Sequence, residues 1–292
     1  MVAKIMDGKQ VAGEIRLELQ RQVETLKGQG IVPGLGVVLV GDDPASHSYV
    51  TAKEKACAEL GLHSEDHRLP SDTAQSVVIE RVRAMNENPR IHGILVQLPL
   101  PAPMDEAEVL RTVDPGKDVD GFHPVNVGRM LLGEEAFWPC TPHGVLQMLT
   151  RCGVEIEGRH AVVVGRSKIV GRPLANLLSL KGPMGNATVT LCHTRTRDLA
   201  RYTRQADILV AAAGRPGTIT ADMVREGAVV IDVGVNRVED ATRKRGYRLV
   251  GDVDFEPVKE KATLITPVPG GVGPMTITML LYNTVHSAAR RG

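Results

Sequence analysis

Tyr49 and Lys53 stand four residues apart in a segment of helical periodicity, so a phenol and an amine share one face of a helix. An amine can move protons near neutral pH once its surroundings are dry enough to lower its pKa. The same spacing also fits an ordinary solvated surface pair. Further on, Gln97 closes the apolar run 91–96 and leads into Leu98-Pro99-Leu100-Pro101. A polar amide at the carboxyl end of a strand sits where open α/β sheets bind their ligands. Asp118-Val119-Asp120-Gly121-Phe122-His123-Pro124 carries two carboxylates in a turn-rich stretch, and each fits either a ligand contact or an Asx turn. Ser46 fits the same network as Tyr49 or the cap of its own helix.

A second group lies near the end of the chain, in Pro267-Val268-Pro269-Gly270-Gly271-Val272-Gly273-Pro274-Met275-Thr276. Proline fixes φ and removes a donor, while glycine opens space and unusual dihedrals. A rigid, bare loop of this kind suits direct backbone contact with a flat ligand; a plain connecting loop is the competing reading. Thr276 is then expected to cap a last helix over 278–286.

These groups need elements to hold them. In the first half, 35–40 and 91–96 read as buried strands and 12–27 and 44–60 as helices. Asp43 and Pro44 start the second helix and Gly61 ends it. A further helical run, 145–151, follows Thr141-Pro142-His143-Gly144. In the second half, strand 160–164 runs into Gly165-Arg166-Ser167-Lys168-Ile169-Val170-Gly171-Arg172-Pro173 and then a helix from Leu174. Strand, glycine turn and helix together make a phosphate-binding turn, with N–H groups and the helix dipole facing an anion. The spacing departs from GxGxxG, because Ser167 takes the second glycine's place and the last glycine comes late. Strands at 188–192, 207–211, 229–233 and 264–266 complete a Rossmann-like sheet.

The second of these strands ends in Cys192-His193-Thr194-Arg195-Thr196-Arg197, with no carboxylate before Asp198. An NAD site usually has an acid there for the ribose hydroxyl, whereas guanidinium and hydroxyl donors suit a 2′-phosphate. NADP is therefore expected over NAD, against the alternative of a solvated basic loop. The expected fold is α/β with two domains. Residues 1–140 plus 275–292 form an N-terminal α/β catalytic domain, 141–274 form a Rossmann-like NADP-binding domain, and the active-site cleft lies between them.

At 292 residues, 42% hydrophobic and 24% charged, the composition is that of a globular protein. A net charge of +1, spread along the chain, excludes a nucleic-acid footprint. No apolar run approaches a membrane span, and the first residues contain no signal-peptide core, so a reducing cytoplasm is expected. Cys57, Cys140, Cys152 and Cys192 are scattered without CxxC spacing, which argues against metal and disulfides alike.

Taken in register, Tyr49-x-x-x-Lys53, Val96-Gln97-Leu98-Pro99-Leu100-Pro101, Asp118-Val119-Asp120-Gly121-Phe122, Val164-Gly165-Arg166-Ser167 and the 267–276 loop resemble the bifunctional methylenetetrahydrofolate dehydrogenase/methenyltetrahydrofolate cyclohydrolases over essentially the whole chain. The resemblance implies two reactions. Methylenetetrahydrofolate loses hydride to NADP, and water then opens the methenyl product to 10-formyltetrahydrofolate. It implies that Lys53 handles protons in hydration, that Gln97 orients its ammonium, that Tyr49 stacks on the pterin, and that Asp120 accepts from the pterin's N3–H and 2-amino group. Ser46, Leu98, Pro99, Pro269, Gly270, Gly271, Val272 and Gly273 would complete the folate site. Gly165, Arg166, Ser167, His193, Thr194, Arg195 and Val235 would hold NADP. A homodimer follows from the resemblance as well, and members that have lost hydrolysis lack the lysine kept here. Thr194, Val235 and the extended 182–186 connection depart from the usual pattern. A dehydrogenase without useful hydrolysis and a silent NADP-binding regulator are the other readings.

Overall fold

The computed structural model describes residues 2–243 and 246–291. In chain order, strand β1 (Lys4–Ile5) precedes helix α1 (Gly8–Gly28). Then β2 (Gly34–Val40), α2 (Pro44–Leu60), β3 (His63–Leu69), α3 (Gln75–Glu87) and β4 (Gly93–Val96) alternate. Helices α4 (Glu106–Thr112), α5 (Pro124–Leu132) and α6 (Cys140–Arg151) follow. Next come β5 (His160–Val164), α7 (Gly171–Ser179), β6 (Thr188–Cys192), α8 (Leu199–Thr203), β7 (Ile208–Ala211) and β8 (Val229–Asp232). The chain ends with β9 (Asn236–Glu239), β10 (Tyr247–Val250), α9 (Phe255–Lys259), β11 (Leu264–Ile265) and α10 (Val272–Arg291).

The chain divides into two compact units, one of Glu14–Cys140 with Ile277–Gly292 and the other of Met1–Gly13 with Thr141–Thr276. The first is built on a three-stranded parallel sheet in the order β3-β2-β4. Every residue of the central strand β2 is buried, as a strand covered on both faces requires. Val38, Val40, Ile94 and Val96 of the sheet pack with Val78, Val82 and Met85 of α3 and Val109 of α4. Lys117–Val119 runs beside β4 through a parallel bridge between Ile94 and Asp118. This bridge carries Asp120 toward the same carboxyl edge at which β4 delivers Gln97.

The second unit holds a six-stranded sheet in the order β1-β11-β8-β7-β5-β6, parallel throughout. The chain moves outward from β5 to β6 and then returns to β7 on the other side of β5. The order therefore reverses at β5, and α/β sheets bind ligands at the carboxyl ends around such a reversal. The turn Gly165–Ser167 leaves β5 at that point.

Three expectations are corrected. The first thirteen residues belong with the nucleotide sheet and not with the catalytic unit, because β1 pairs with β11 (Lys4 with Leu264, Ile5 with Ile265). Met1 and Gly292, which open and close the expected ranges, lie outside the described residues. The last helix begins at Val272, not after Thr276, since a proline in a first helical turn removes only a donor that has no partner there. Thr276 is thus inside α10, and its Oγ1 shares a 2.9 Å hydrogen bond with Thr141 Oγ1. Finally, α7 starts at Gly171 and not at Leu174.

Gly165 and Gly171 explain the unusual glycine spacing. Gly165 has φ +127°, and a Cβ there would meet the carbonyl of Ala212. A Cβ on Gly171 would strike the carbonyl of Gly165. The late glycine lets α7 close down on the turn, so Gly171→Ala is expected to cost about 1–3 kcal/mol by overpacking. A drop in melting temperature checks this, and an unchanged one would contradict it.

Candidate active site

Helix α2 is fixed at both ends. Asp43 Oδ2 accepts from Ser46 N and from Ser46 Oγ, each at 2.8 Å, and Pro44 occupies the first turn. At the other end Gly61 adopts φ +69°, with its N–H on Ala58 O. Ser46, Val50, Lys53, Cys57 and Leu60 are all buried, and their spacing is that of a single helical stripe. Lys53 is only 7% exposed, so an amine occupies a position that the periodicity assigns to the core. Tyr49, one turn earlier, is 44% exposed. The pair is thus no solvated surface pair. The Ser46 hydroxyl takes part in the cap by donating to Asp43.

Lys53 Nζ donates to Gln97 Oε1 at 2.9 Å. The Gln97 backbone N–H extends the ladder to Val38 O at 2.8 Å, and its Nε2 donates to Leu98 O at 2.8 Å. With the amide nitrogen so engaged, the carbonyl oxygen is left for the lysine. Burial lowers the pKa of Lys53, and the Asp120 carboxylate opposes that shift. Burial in turn raises Asp120, opposed by the charge on Lys53. Leu98 packs against the sheet's apolar core, and Pro99 is exposed.

The two carboxylates of the 118–120 turn have separate fates. Asp118 Oδ2 accepts from His123 N and Asn126 Nδ2, both at 2.8 Å, and Oδ1 accepts from Phe122 N at 3.2 Å. It is the Asx-type turn, and burial pushes its pKa up to about 7. Among the described residues Asp120 has no backbone donor, and it is the carboxylate beside the amine. Sequence reasoning missed two supports of this arrangement. Asn283 Nδ2 donates to Val119 O at 2.8 Å and to Trp138 O at 3.2 Å, holding the strand before Asp120. Cys140 sits under Asp120 as an inert thiol whose pKa burial raises far above its usual value. An asparagine inside the apolar run of α10 was the available signal for the first; the second left none.

In the nucleotide unit, Val164 pairs with Cys192, and Gly165 N donates to Cys192 O at 2.9 Å. The two turns that follow therefore run side by side. Ser167 Oγ accepts from Val170 N at 3.1 Å and Gly171 N at 3.3 Å, which shapes the turn into α7. His193 Nδ1 accepts from Arg195 N at 3.1 Å, and Thr196 Oγ1 accepts from His193 N at 2.9 Å. Arg166, Thr194 and Arg195 are exposed, and among the described residues neither arginine has an acidic partner. Asp198 is spent as the cap of α8, accepting from Arg201 N at 3.2 Å. The glycine cradle and the uncompensated guanidiniums fit a phosphorylated dinucleotide. Val235 is 51% exposed just beyond β8.

The loop before α10 is as bare as its composition suggests. Gly270 has φ +108°, and nothing lies within 4 Å of a Cβ placed on Gly273, which already belongs to the first turn of α10. Gly271 is packed inward, where a Cβ would press on Pro267 O and Thr266. Pro269 is exposed, and Val272 is buried in the first turn of α10.

A doubly wound parallel sheet with this turn at its reversal defines a dinucleotide-linked α/β enzyme. Residues 6–120 match the catalytic domain of tetrahydrofolate dehydrogenase/cyclohydrolase, and residues 139–292 match its NAD(P)-binding domain. The chain belongs to that family. It is 57% identical over 288 residues to the bifunctional protein FolD of Syntrophus aciditrophicus, covering 99% of this chain and 98% of the relative. The crystal structure of the bifunctional FolD dehydrogenase/cyclohydrolase from Campylobacter jejuni superposes with a TM-score of 0.94 at 47% identity, over 99% of this chain and 100% of that one. The Trypanosoma brucei enzyme, solved with NADP cofactor and an inhibitor, gives a TM-score of 0.94 at 41% identity, over 99% and 98% of the two chains.

The contrast between the two aspartates is testable by unfolding. Asp118→Ala strips three donors of their acceptor and is expected to cost about 1–3 kcal/mol or more. Asp120→Ala removes no backbone partner, so its loss is expected to come from the unpaired Lys53 charge alone and to fade as pH rises and the amine deprotonates, whereas the Asp118→Ala loss persists. Losses that vary alike with pH in the two would contradict the division.

Proposed function

We infer that Lys53, Gln97, Tyr49 and Asp120 carry the folate chemistry of a bifunctional enzyme. The enzyme oxidises 5,10-methylenetetrahydrofolate to 5,10-methenyltetrahydrofolate with NADP and then hydrolyses that product to 10-formyltetrahydrofolate. The observation that carries this reading is an amine in a buried helical stripe, held on Gln97 Oε1 at 2.9 Å and facing a carboxylate. Bound NADP supplies the hydride acceptor for the first reaction. Gly165, Arg166 and Ser167 hold its phosphates. Thr194 and Arg195 take the 2′-phosphate, beside His193, and Val235 packs on its apolar face.

Loss of hydride leaves a cationic amidinium carbon, so the oxidation needs alignment above all. Tyr49 offers its exposed ring as a stacking surface for the pterin. Asp120 accepts paired bonds from the pterin's guanidine-like edge. The family resemblance further assigns Ser46, Leu98 and Pro99 and the segment 269–273 to the folate. Hydration needs a positioned water, a proton acceptor and support for the tetrahedral adduct. Lys53 in its neutral form takes the proton, and Gln97 keeps it aimed. Burial is what makes the neutral form accessible, because removing an ammonium from water disfavours its charge. We further infer a homodimer in the cytoplasm, supported by the family pattern; no helix among the described residues is long and apolar enough to cross a membrane.

Lys53→Met is expected to slow conversion of methenyl to formyl folate by at least about 100-fold, followed as loss of methenyl absorbance without NADP. Near-normal hydrolysis would remove the lysine from this role. In the wild type the hydrolysis rate rises with pH as the amine loses its proton, with a midpoint below the ordinary lysine range. Asp120→Asn should move that midpoint lower, since the carboxylate's charge helps to keep the proton on Lys53. A midpoint moved upward would contradict the assignment.

Arg195→Ala should raise the KM for NADP by about tenfold while changing that for NAD little, as expected for a lost charge-assisted phosphate bond. Equal changes for both nucleotides would argue against the 2′-phosphate contact.

A further inference from the structure

Two aspartates of the nucleotide unit have no part in the chemistry above, yet they are among its most buried polar groups. Asp232 ends β8 and Asp252 follows β10, and they are 3% and 0% exposed. Asp232 Oδ1 accepts from Gly234 N at 3.0 Å and Asp252 N at 2.9 Å, while Oδ2 accepts from Val253 N at 2.9 Å. Asp252 Oδ2 accepts from Ala213 N at 2.7 Å and Gly214 N at 2.8 Å, and Oδ1 accepts from Asn236 Nδ2 at 2.9 Å. The fit is reciprocal. A Cβ on Gly234 would collide with the Asp252 carboxylate, and one on Gly251 with that of Asp232. Thr266 joins the same knot, its Oγ1 accepting from Asp232 N at 2.7 Å immediately before the 267–273 loop.

No lysine or arginine pairs with either carboxylate among the described residues. Burial, helped by the neighbouring charge of Asp252, pushes Asp232 up to about 6. Two adjacent buried acids are a costly way to join segments that apolar side chains could hold together. They differ from an apolar joint in fixing backbone N–H groups one by one. The segments so fixed, 213–214 after β7 and 234–236 after β8 (through Gly234 N and the Asn236 side chain), leave the carboxyl ends of strands on the far side of β5 from β6. A dinucleotide lies across the reversal point of such a sheet, one half to each side. With the 2′-phosphate donors at the end of β6, the opposite half faces the turns after β7 and β8.

We propose that Asp232 and Asp252 are positioning residues for the nicotinamide half of the cofactor, holding the backbone of 213–214 and 234–236 in the shape against which that half docks. This rests on the assignment of the 2′-phosphate to Thr194 and Arg195.

Calorimetric titration of Asp252→Asn with NADP and with adenosine 2′,5′-bisphosphate, which lacks the nicotinamide half, tests it. NADP should weaken by about tenfold or more, while the bisphosphate stays within about twofold of the wild type. Hydrolysis of methenyl folate without NADP should be unchanged. Should that variant fail to fold, Asn236→Ala removes a single donor and should give the same pattern in smaller measure. Unchanged NADP affinity, or equal loss of both ligands, overturns the proposal. Failure of the phosphate assignment reads differently, as a wild type that binds NAD and NADP equally. The positioning role is then decided by whether the variants lose NADP while keeping hydrolysis.

Discussion

A lysine ammonium placed in the buried stripe of α2 is the constraint around which the first unit is organised. Taking such a charge out of water costs several kcal/mol even after relaxation, on the order of the whole margin by which a domain stays folded. The protein offsets part of this cost with one hydrogen bond, Lys53 Nζ to Gln97 Oε1, and one carboxylate, Asp120. Each partner is itself pinned. Gln97 is held by the strand ladder and by Leu98 O, and Asp120 follows Val119, whose carbonyl Asn283 ties to that of Trp138. The residual imbalance is the useful quantity, because it leaves the amine easier to deprotonate than a lysine in water.

The aspartates of this chain divide by what their oxygens already do. Asp43 and Asp198 cap helices, Asp118 shapes a turn, and Asp232 and Asp252 knit loops together through N–H groups. Their capacity as acceptors is largely consumed inside the fold. Asp120 differs in having no backbone donor among the described residues, so its oxygens retain acceptor capacity. The same accounting applies to the cations. Arg68 and Arg225 are tied to carboxylates, whereas Arg166 and Arg195 keep their charge beside the glycine turn.

Much of the architecture was legible because parallel strands buried on both faces read as short apolar runs, and β2, β5 and β7 are of that kind. Strand β3 was not legible: His63-Ser64-Glu65-Asp66-His67-Arg68-Leu69 is polar because it lies at the sheet's edge, where burial makes no demand on its pattern. The β9–β10 hairpin was hidden for a similar reason, since it stands as a separate two-stranded ribbon with alternating exposure. The start of α10 was misread because the three glycines and three prolines of 267–276 look like a loop, although the first helical turn tolerates both residue types. The pairing of β1 with β11 joins residues some 260 positions apart, and no local pattern encodes it.

By itself the sequence determined the α/β class, the phosphate turn, the absence of an acid after the second nucleotide strand, and the set of polar residues from which a site could be made. Those features depend on short-range periodicity and on which functional groups are present. Tertiary structure alone decided which of Asp118 and Asp120 is spent on the turn, that Lys53 faces inward while Tyr49 stays open, and that Gly171 is required by the carbonyl of Gly165. The reason is physical: whether a polar group is satisfied or available depends on donors brought to it from distant segments, and only the folded chain fixes where those donors are.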